Sequence, residues 1–474
     1  MFPLTPEQCD IIDFFMTGES MRDIAYAGGA KTSTLIQKAK RSMHRRGLYI
    51  AFNKSIAAEA SEKFPRNVRC STAHSLAYRD VIGQGFNKAK MESRPASFMI
   101  DLNMITEALP FHRDILKSIA HSTITRFCSS DSREITEHHV PRQNGLSEDD
   151  QEFAFHWAPI VATAAWERMS NPRSDFPLGH DGYLKVWSLG TPKLPCDFLM
   201  IDEAQDLNPV LIHVVKNQRG TQTVAVGDPW QAIYEWRGAK DALAILAGRE
   251  FRLTRSFRFG DAIAAAANQI IAVMGETFPL LGFPMIKDRV SFERSTDVDA
   301  VLCRSNAGVI ERALDFLDEG REVCTPGGTR EMMSLIQDAE ALQNFSPART
   351  ADLMTFKSWK EVQKYAGTDE GASLRVFVRM VDKYGCSKLQ WVLSRIRDKP
   401  VEGGVTISTA HKGKGLEWKR VAIHDDFAPN EDGKISVGER RLFYVAITRA
   451  KQVLHVDPET LAAFSTPDPE GDDD

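Results

Sequence analysis

The stretch Ala25–Thr34, AYAGGAKTST, most narrows the folds open to this chain. Before it, Met21–Tyr26 reads as the end of a buried strand. After it, LIQKAKRSMHRR reads as an amphipathic helix with basic residues on one side. A strand that turns through glycines into a helix points backbone N–H groups inward at an anion, with the positive end of the helix dipole behind them. Strand, Gly-rich turn, Lys-Thr and helix is the layout of a phosphate-cradling loop. Ala27, Gly28, Gly29, Ala30, Lys31, Thr32 and Ser33 would surround the phosphates of ATP. Lys31 would reach the β/γ-phosphates and the Thr32 hydroxyl would hold Mg²⁺. The layout asks for Gly where this chain has Ala30, and a tight strand-to-helix turn without a ligand fits the same letters. A negative φ at Ala30 costs little, whereas a positive one adds strain beside the phosphate.

A chain of 474 residues exceeds one core and implies two to four domains. The net charge is -5, and five acids fall in Asp468–Asp474, so the body is neutral with local basic tracks such as Lys38–Arg46. Neutrality of that kind does not exclude nucleic acid, because the distribution of charge is what matters. The seven cysteines show no CxxC or Cys/His ligand spacing, so neither zinc nor a disulfide framework is indicated. With no signal peptide and no apolar run near eighteen residues, the expectation is a soluble, intracellular protein with no membrane partner.

Short Val/Ile-rich runs alternate with helical stretches. Strands are expected at Leu48–Phe52, Asp197–Ile201, Thr221–Val226, Val301–Arg304, Val405–Ser408, Val421–His424 and Val453–Val456. The alternation predicts an α/β fold with parallel sheets, whose ligands sit beyond the strand C-terminal ends. Two mainly helical stretches, 86–190 and 331–400, interrupt the rhythm.

Several side chains fall where such ligands bind. Thr5-Pro6 starts a helix with Gln8 just inside it, an ordinary helix start whose amide could also pair with adenine. Phe52 and Asn53 end the strand LYIAFNKS, and Thr72 and His74 follow it in RCSTAHSLA. A Phe at a strand end is otherwise core and a Ser/Thr cluster a cap, and both pairs lie where an α/β ligand would bind. The run CDFLMIDEAQD ends a hydrophobic strand in Asp202-Glu203. Acids there are costly unless they face a cation or solvent, and beside a phosphate loop Asp202 would orient Mg²⁺ while Glu203 polarises the attacking water. In TVAVGDPWQAIYEWRGA, Gln231 could sense a γ-phosphate, and Tyr234 and Trp236 offer flat faces for bases.

Together AYAGGAKT, DEAQD and GDPWQAIYEWRGA resemble, in order and spacing, superfamily 1 DNA helicases of the UvrD/Rep/PcrA type. LTRSFR at Leu253–Arg258, LCRSN at Leu302–Asn306, TISTAHKGKGLEW at Thr406–Trp418 and ERRLFYVAITRAK at Glu439–Lys451 continue the set. FNKS, STAHSLA and the SFRFG variant are most similar to the helicase portion of F-box DNA helicases and their phage and bacterial relatives. The chain starts at the glutamine motif, so no F-box segment is expected, and after Lys451 only a short strand and an acidic tail.

The resemblance implies two RecA-like P-loop domains with ATP between them, each carrying a mainly helical insertion. The first core would be 1–85 and 191–250 with insertion 86–190. The second would be 251–330 and 401–460 with the short insertion 331–400, followed by a disordered acidic tail at 461–474. It further implies that Gln8 reads adenine, Phe257 stacks on it, Arg258 and Arg449 are arginine fingers and Glu417 contacts the ribose. Phe52, Asn53, Thr72, His74, Tyr234, Trp236, Arg237, Arg304, Thr409 and His411 would line a single-strand track. For Arg304 an ion pair with an acidic neighbour, and for His411 a structural role, are the plain alternatives.

The implied activity is an ATP- and Mg²⁺-dependent DNA helicase or translocase moving 3′ to 5′ on single-stranded and forked DNA, in repair, replication or recombination. The expected protein is a monomer, cytoplasmic and nucleoid-associated, or in the host cytoplasm if phage-encoded. The tail would serve as a dock for a single-strand-binding or replication/recombination protein. A translocase that strips proteins from DNA, and a DNA-binding regulator with weak ATPase activity, are the competing readings.

Overall fold

The computed structural model describes residues 3–235, 238–350, 352–368, 371–427 and 433–468. They form two compact units, 1–24, 31–229 and 234–253 in the first, 25–30, 230–233 and 254–474 in the second. Each is built on a six-stranded sheet.

In the first unit the strands are β1 (Met21–Ala25), β2 (Gly47–Ala51), β3 (Val68–Thr72), β4 (Phe198–Ile201), β5 (Gln222–Gly227) and β6 (Arg249–Leu253), in the order β3-β2-β4-β5-β1-β6. The ladders joining β1 to β5 are parallel. All residues of β2 and β4 are buried, as strands covered on both faces require. β3 and β6 were not among the expected strands. The polar letters of RCST hide a run whose last residue ends β3 and also caps the next helix, Thr72 accepting the Ser75 N–H at 3.1 Å.

Between β3 and β4 lie the long helices Arg113–Ser129, Glu148–Ser170 and Gly179–Leu189. Buried Lys90 ties the return of this stretch by donating to the carbonyls of Arg168, Ser174 and Phe176 at 3.1, 3.0 and 2.6 Å. The Trp187 indole N–H donates to Asp80 at 2.8 Å, fixing Gly179–Leu189 to the helix Ala73–Gly83.

The second unit carries β7 (Arg289–Ser291), β8 (Ala300–Cys303), β9 (Val323–Cys324), β10 (Val405–Thr409), β11 (Trp418–Ile423) and β12 (Ala450–His455), in the all-parallel order β7-β12-β11-β8-β10-β9. Helices between Arg330 and Arg395 share one hydrophobic cluster with this sheet, Ile336, Trp359 and Leu389 joining Val301, Val405 and Ile407. A helical piece this small gains by borrowing a core.

The chain end differs from the expected tail. Residues 461–464 belong to the helix Pro458–Phe464, with Leu461 and Phe464 buried, because its apolar face covers Phe427 and Phe443. Asp468 is held by Arg440 at 2.7 Å, and residues 469–474 lie outside the described residues. Among the described residues no helix is long and apolar enough to cross a membrane.

Candidate nucleotide site and strand groove

The acidic strand end meets the lysine of the Gly-rich loop inside the first unit. Lys31 Nζ lies 2.9 Å from Glu203 Oε1. Burial pulls the Lys31 ammonium down, but the carboxylates of Glu203, Asp202 and Asp228 outweigh it and hold the pKa above its ordinary value. Asp202 Oδ2 accepts from the Thr32 hydroxyl at 3.2 Å and from Tyr49 at 2.8 Å. Burial, then Glu203, push Asp202 up, against the opposite pull of Lys31 and Tyr49. Tyr49 is itself raised, first by burial and then by Asp202.

A hydroxyl and a carboxylate side by side, with two more carboxylates near, form an all-oxygen donor set rich in negative charge. That is the chemistry a hard divalent cation such as Mg²⁺ meets, so Thr32 and Asp202 fit the group.

The backbone is strained at this place. Four described non-glycine residues have positive φ, and two of them are Ala30 at 54° and Glu203 at 52°. One precedes Lys31 and the other is its ion-pair partner, a clustering typical of functional sites. Ala30 thus takes the costlier of its two conformations.

Residues 25–30 of the loop group with the second unit. Gly28 has φ of 76°, and a Cβ there would lie 2.3 Å from Ser256 Oγ and 2.8 Å from Arg258 Cβ. The Phe257 N–H donates to the Gly28 carbonyl at 2.9 Å, the Ala27 N–H donates to the Tyr444 hydroxyl at 3.3 Å, and Gly29 N–H closes a turn onto Tyr26 at 2.8 Å. Ser33 is exposed in the first turn of the helix Lys31–Arg41.

Gln8 is buried, and its amide already has work. Oε1 accepts the Thr5 N–H at 3.0 Å and Nε2 donates to Thr34 at 2.9 Å. The capping box of the helix Pro6–Phe15 is therefore observed, and one amide hydrogen and one oxygen lone pair remain for a base.

In the second unit, Arg258 pairs with Glu417 at 2.8 Å and donates to the Thr448 carbonyl at 3.0 Å. Glu417 is also held by Lys451 at 2.9 Å, and these two cations outweigh burial to keep its carboxyl low. Buried Arg449 donates to Gln231 Oε1 and to the Thr448 hydroxyl, both at 3.1 Å. Phe257 is half-buried with its ring against Phe283, centroids 5.2 Å apart.

Phe52, Asn53, Thr72 and His74 come together at the carboxyl ends of β2 and β3. They line a groove of about 570 Å³ with Tyr78, Lys88, His180 and Tyr183, within the ~300–1,000 Å³ usual for ligand clefts. Phe52 is 62% exposed at this groove. His74 lies 3.7 Å from Asp181 and meets the Tyr183 ring edge-on at 5.9 Å. Asn53 and Thr72 spend their oxygens as helix caps.

The other residues expected on the strand track are not among those lining this groove. Arg304 is forked onto Glu439 by two bonds of 2.6 Å, the plain ion-pair alternative. Thr409 caps its short helix through the Lys412 N–H at 3.3 Å, and His411 lies in that helix, half-buried. Tyr234 is half-buried in the first unit, while Trp236 and Arg237 lie outside the described residues. Sequence reasoning missed Tyr49, Gln205, Asp228 and Tyr444 around the nucleotide residues, and Tyr78, Lys88, His180 and Tyr183 in the groove. Gln205, Asp228 and Tyr444 stood inside quoted motifs, whereas Tyr49 looked like core and the helix Gly179–Leu189, which brings His180 and Tyr183, carries no recognisable pattern.

Two parallel sheets, a Gly-rich loop and a Lys31–Glu203–Asp202–Thr32 cluster at the strand ends define a P-loop protein of RecA-like architecture. Residues 193–251 match the UvrD/REP helicase N-terminal domain and residues 338–457 the UvrD-like helicase C-terminal domain. The chain thus carries segments that match both the N-terminal and the C-terminal domain of the UvrD-like helicases. It is 30% identical to F-box DNA helicase 1 of Gallus gallus over 95% of this chain and 48% of that protein. With F-box DNA helicase protein 1 of Schizosaccharomyces pombe it shares 28% identity, covering 95% and 57%. ATP-dependent DNA helicase UvrD2 of Mycobacterium tuberculosis is 26% identical over 53% of this chain and 46% of the relative. The chain thus spans about half the length of the curated relatives it matches.

Proposed function

We propose that this protein is an ATP-dependent motor on single-stranded DNA, a helicase or translocase. The observation that carries the reading is the position of two sites on one sheet edge. The Lys31–Glu203–Asp202–Thr32 cluster lies at the ends of β1 and β4, and the ring-lined groove at the ends of β2 and β3. Neighbouring strands of one parallel sheet thereby hold both candidate sites, the arrangement a nucleotide-driven motor needs.

In this reading Lys31 exchanges Glu203 for the phosphate oxygens of ATP. Glu203, once Lys31 has turned to the phosphates, polarises the attacking water. Thr32 and Asp202 hold Mg²⁺, which supplies neutralisation of developing charge. Gln8 uses its remaining hydrogen and lone pair on adenine. Arg258 and Arg449 serve as arginine fingers, Phe257 and Glu417 as base and ribose contacts, and Gln231 as the γ-phosphate sensor, all supported by the family's motifs. Phe52 and His74 give stacking faces for bases, which suit any sequence because every base has a π-face.

A DNA-binding regulator with weak turnover is the second reading, favoured by the positive φ of Ala30. Movement 3′ to 5′, duplex unwinding and docking through the acidic end belong to the same proposal, and removal of proteins from DNA with little unwinding is its alternative. Unwinding of tailed duplexes of both polarities, beside displacement of a protein bound to single strands, separates helicase from translocase. A protein that hydrolyses ATP on DNA yet does neither contradicts the motor.

A further inference from the structure

Gln205 is 1% exposed and hydrogen-bonds to Glu203, the residue read above as polarising the attacking water. Its Nε2 donates to Glu203 Oε2 at 2.6 Å and to Asp206 Oδ2 at 3.2 Å. Its Oε1 accepts the Asp228 N–H at 3.1 Å. The orientation of this amide is fixed by its partners: flipping it would set an oxygen against two carboxylates and an NH₂ against a backbone N–H. On the other side a Cβ at Gly227 would lie 2.2 Å from Gln205 Oε1. Glycine at the end of β5 is therefore what lets the amide reach the Asp228 N–H.

Glu203 needs such support. Its backbone is left-handed, φ 52° and ψ 44°, and Lys31 Nζ lies 2.9 Å from Oε1, the oxygen that does not face Gln205. When Lys31 turns to phosphate, the bond on Oε2 still aims the carboxylate. Lys31, Asp202, Asp206, Asp228 and Tyr49 supply the charges and the phenol around it.

We propose that Gln205 is a positioning residue that holds Glu203 Oε2 and, through the Asp228 amide, ties this carboxylate to the end of β5. The inference rests on the reading that Glu203 polarises the attacking water.

The test is single-turnover hydrolysis with ATP and Mg²⁺ on a single-stranded oligonucleotide, beside the affinity for a non-hydrolysable ATP analogue. Gln205→Leu removes both ends of the amide, and Gln205→Glu keeps the acceptor for Asp228 but loses the donor to Glu203. Each should slow hydrolysis by about 10–100-fold, as loss of a group that orients a reacting one does. Analogue affinity should stay within about threefold; Gln205→Glu, which sets a third carboxyl group against Glu203 and Asp206, should in addition lower the melting temperature. Gly227→Ala, which pushes the amide away, should reproduce the slow step.

In a Glu203→Gln background, Gln205→Leu should add nothing. Additive losses, or equal losses in affinity and hydrolysis, would assign Gln205 to plain structure and overturn the proposal. Full hydrolysis in the Gln205 variants, with Glu203→Gln impaired, overturns it too. Full hydrolysis in Glu203→Gln overturns the reading of Glu203 instead.

Discussion

Replacing Ala30 by Gly probes the strained turn directly. Ala30 sits at φ 54° immediately before Lys31. A residue with a Cβ there costs about 1–2 kcal/mol relative to the right-handed region. Glycine removes that cost but loses about 0.5–1 kcal/mol more backbone entropy on folding. The difference is a gain of up to about 1.5 kcal/mol, centred near 0.5–1 kcal/mol. At roughly 2–4 °C per kcal/mol for domains of this size, the melting temperature should rise by about 1–4 °C. ATP affinity should be kept or improved, since the loop N–H groups retain their directions. Ala30→Val is the opposing control, because a β-branched residue at positive φ is a severe outlier; it should lower the melting temperature and weaken ATP binding. The assay is thermal melting with and without ATP analogue. A loss of 1 kcal/mol or more in Ala30→Gly would mean that φ is negative there and that the strain argument fails.

Other outcomes follow from the same geometry. Arg449→Ala should leave DNA binding nearly intact and lower kcat by about 10³, the low end for a lost arginine finger; ordinary turnover would return Arg449 to its structural bond with Gln231. Phe52→Ala should weaken single-strand binding by about 1–3 kcal/mol in a fluorescence titration, whereas unchanged affinity would remove this ring from the track. His424 lies 3.0 Å from Asp426. Burial pulls His424 down, but Asp426 outweighs it and holds the imidazolium above its ordinary pKa, while Asp426 is held low by His424 and two backbone N–H groups against burial. Stability from His424 is therefore present below its unfolded value and lost as pH rises through the raised one. That from Asp426 is lost as pH falls through its lowered one. Melting across pH should fall on both sides, and His424→Gln should flatten the alkaline side.

Much of this fold is legible in the letters because parallel strands buried on both faces leave unbroken apolar runs. FLMI and VTIST are read without the structure, and β10 ends at Thr409, one residue beyond the expected run. RCST and REFRL are not, since β3 and β6 keep polar side chains that a period-based reading assigns to caps or loops. At the site, Lys31, Thr32, Asp202 and Glu203 are legible because their chemistry demands that order and spacing. Gln205 and Tyr49 act through a neighbour, and such support has no spacing rule of its own. The groove partners His180 and Tyr183 come from more than a hundred residues downstream of Phe52, so only folding brings them together. Ala30 shows the limit from the other side: its letter raised the question of φ, and only the backbone answers it.

ATP hydrolysis with and without single-stranded DNA tests the central claim most directly. The account predicts slow turnover alone, strong stimulation by the strand, and loss of both in Lys31→Ala. Turnover that never rises above background, while DNA binding stays intact, would contradict it.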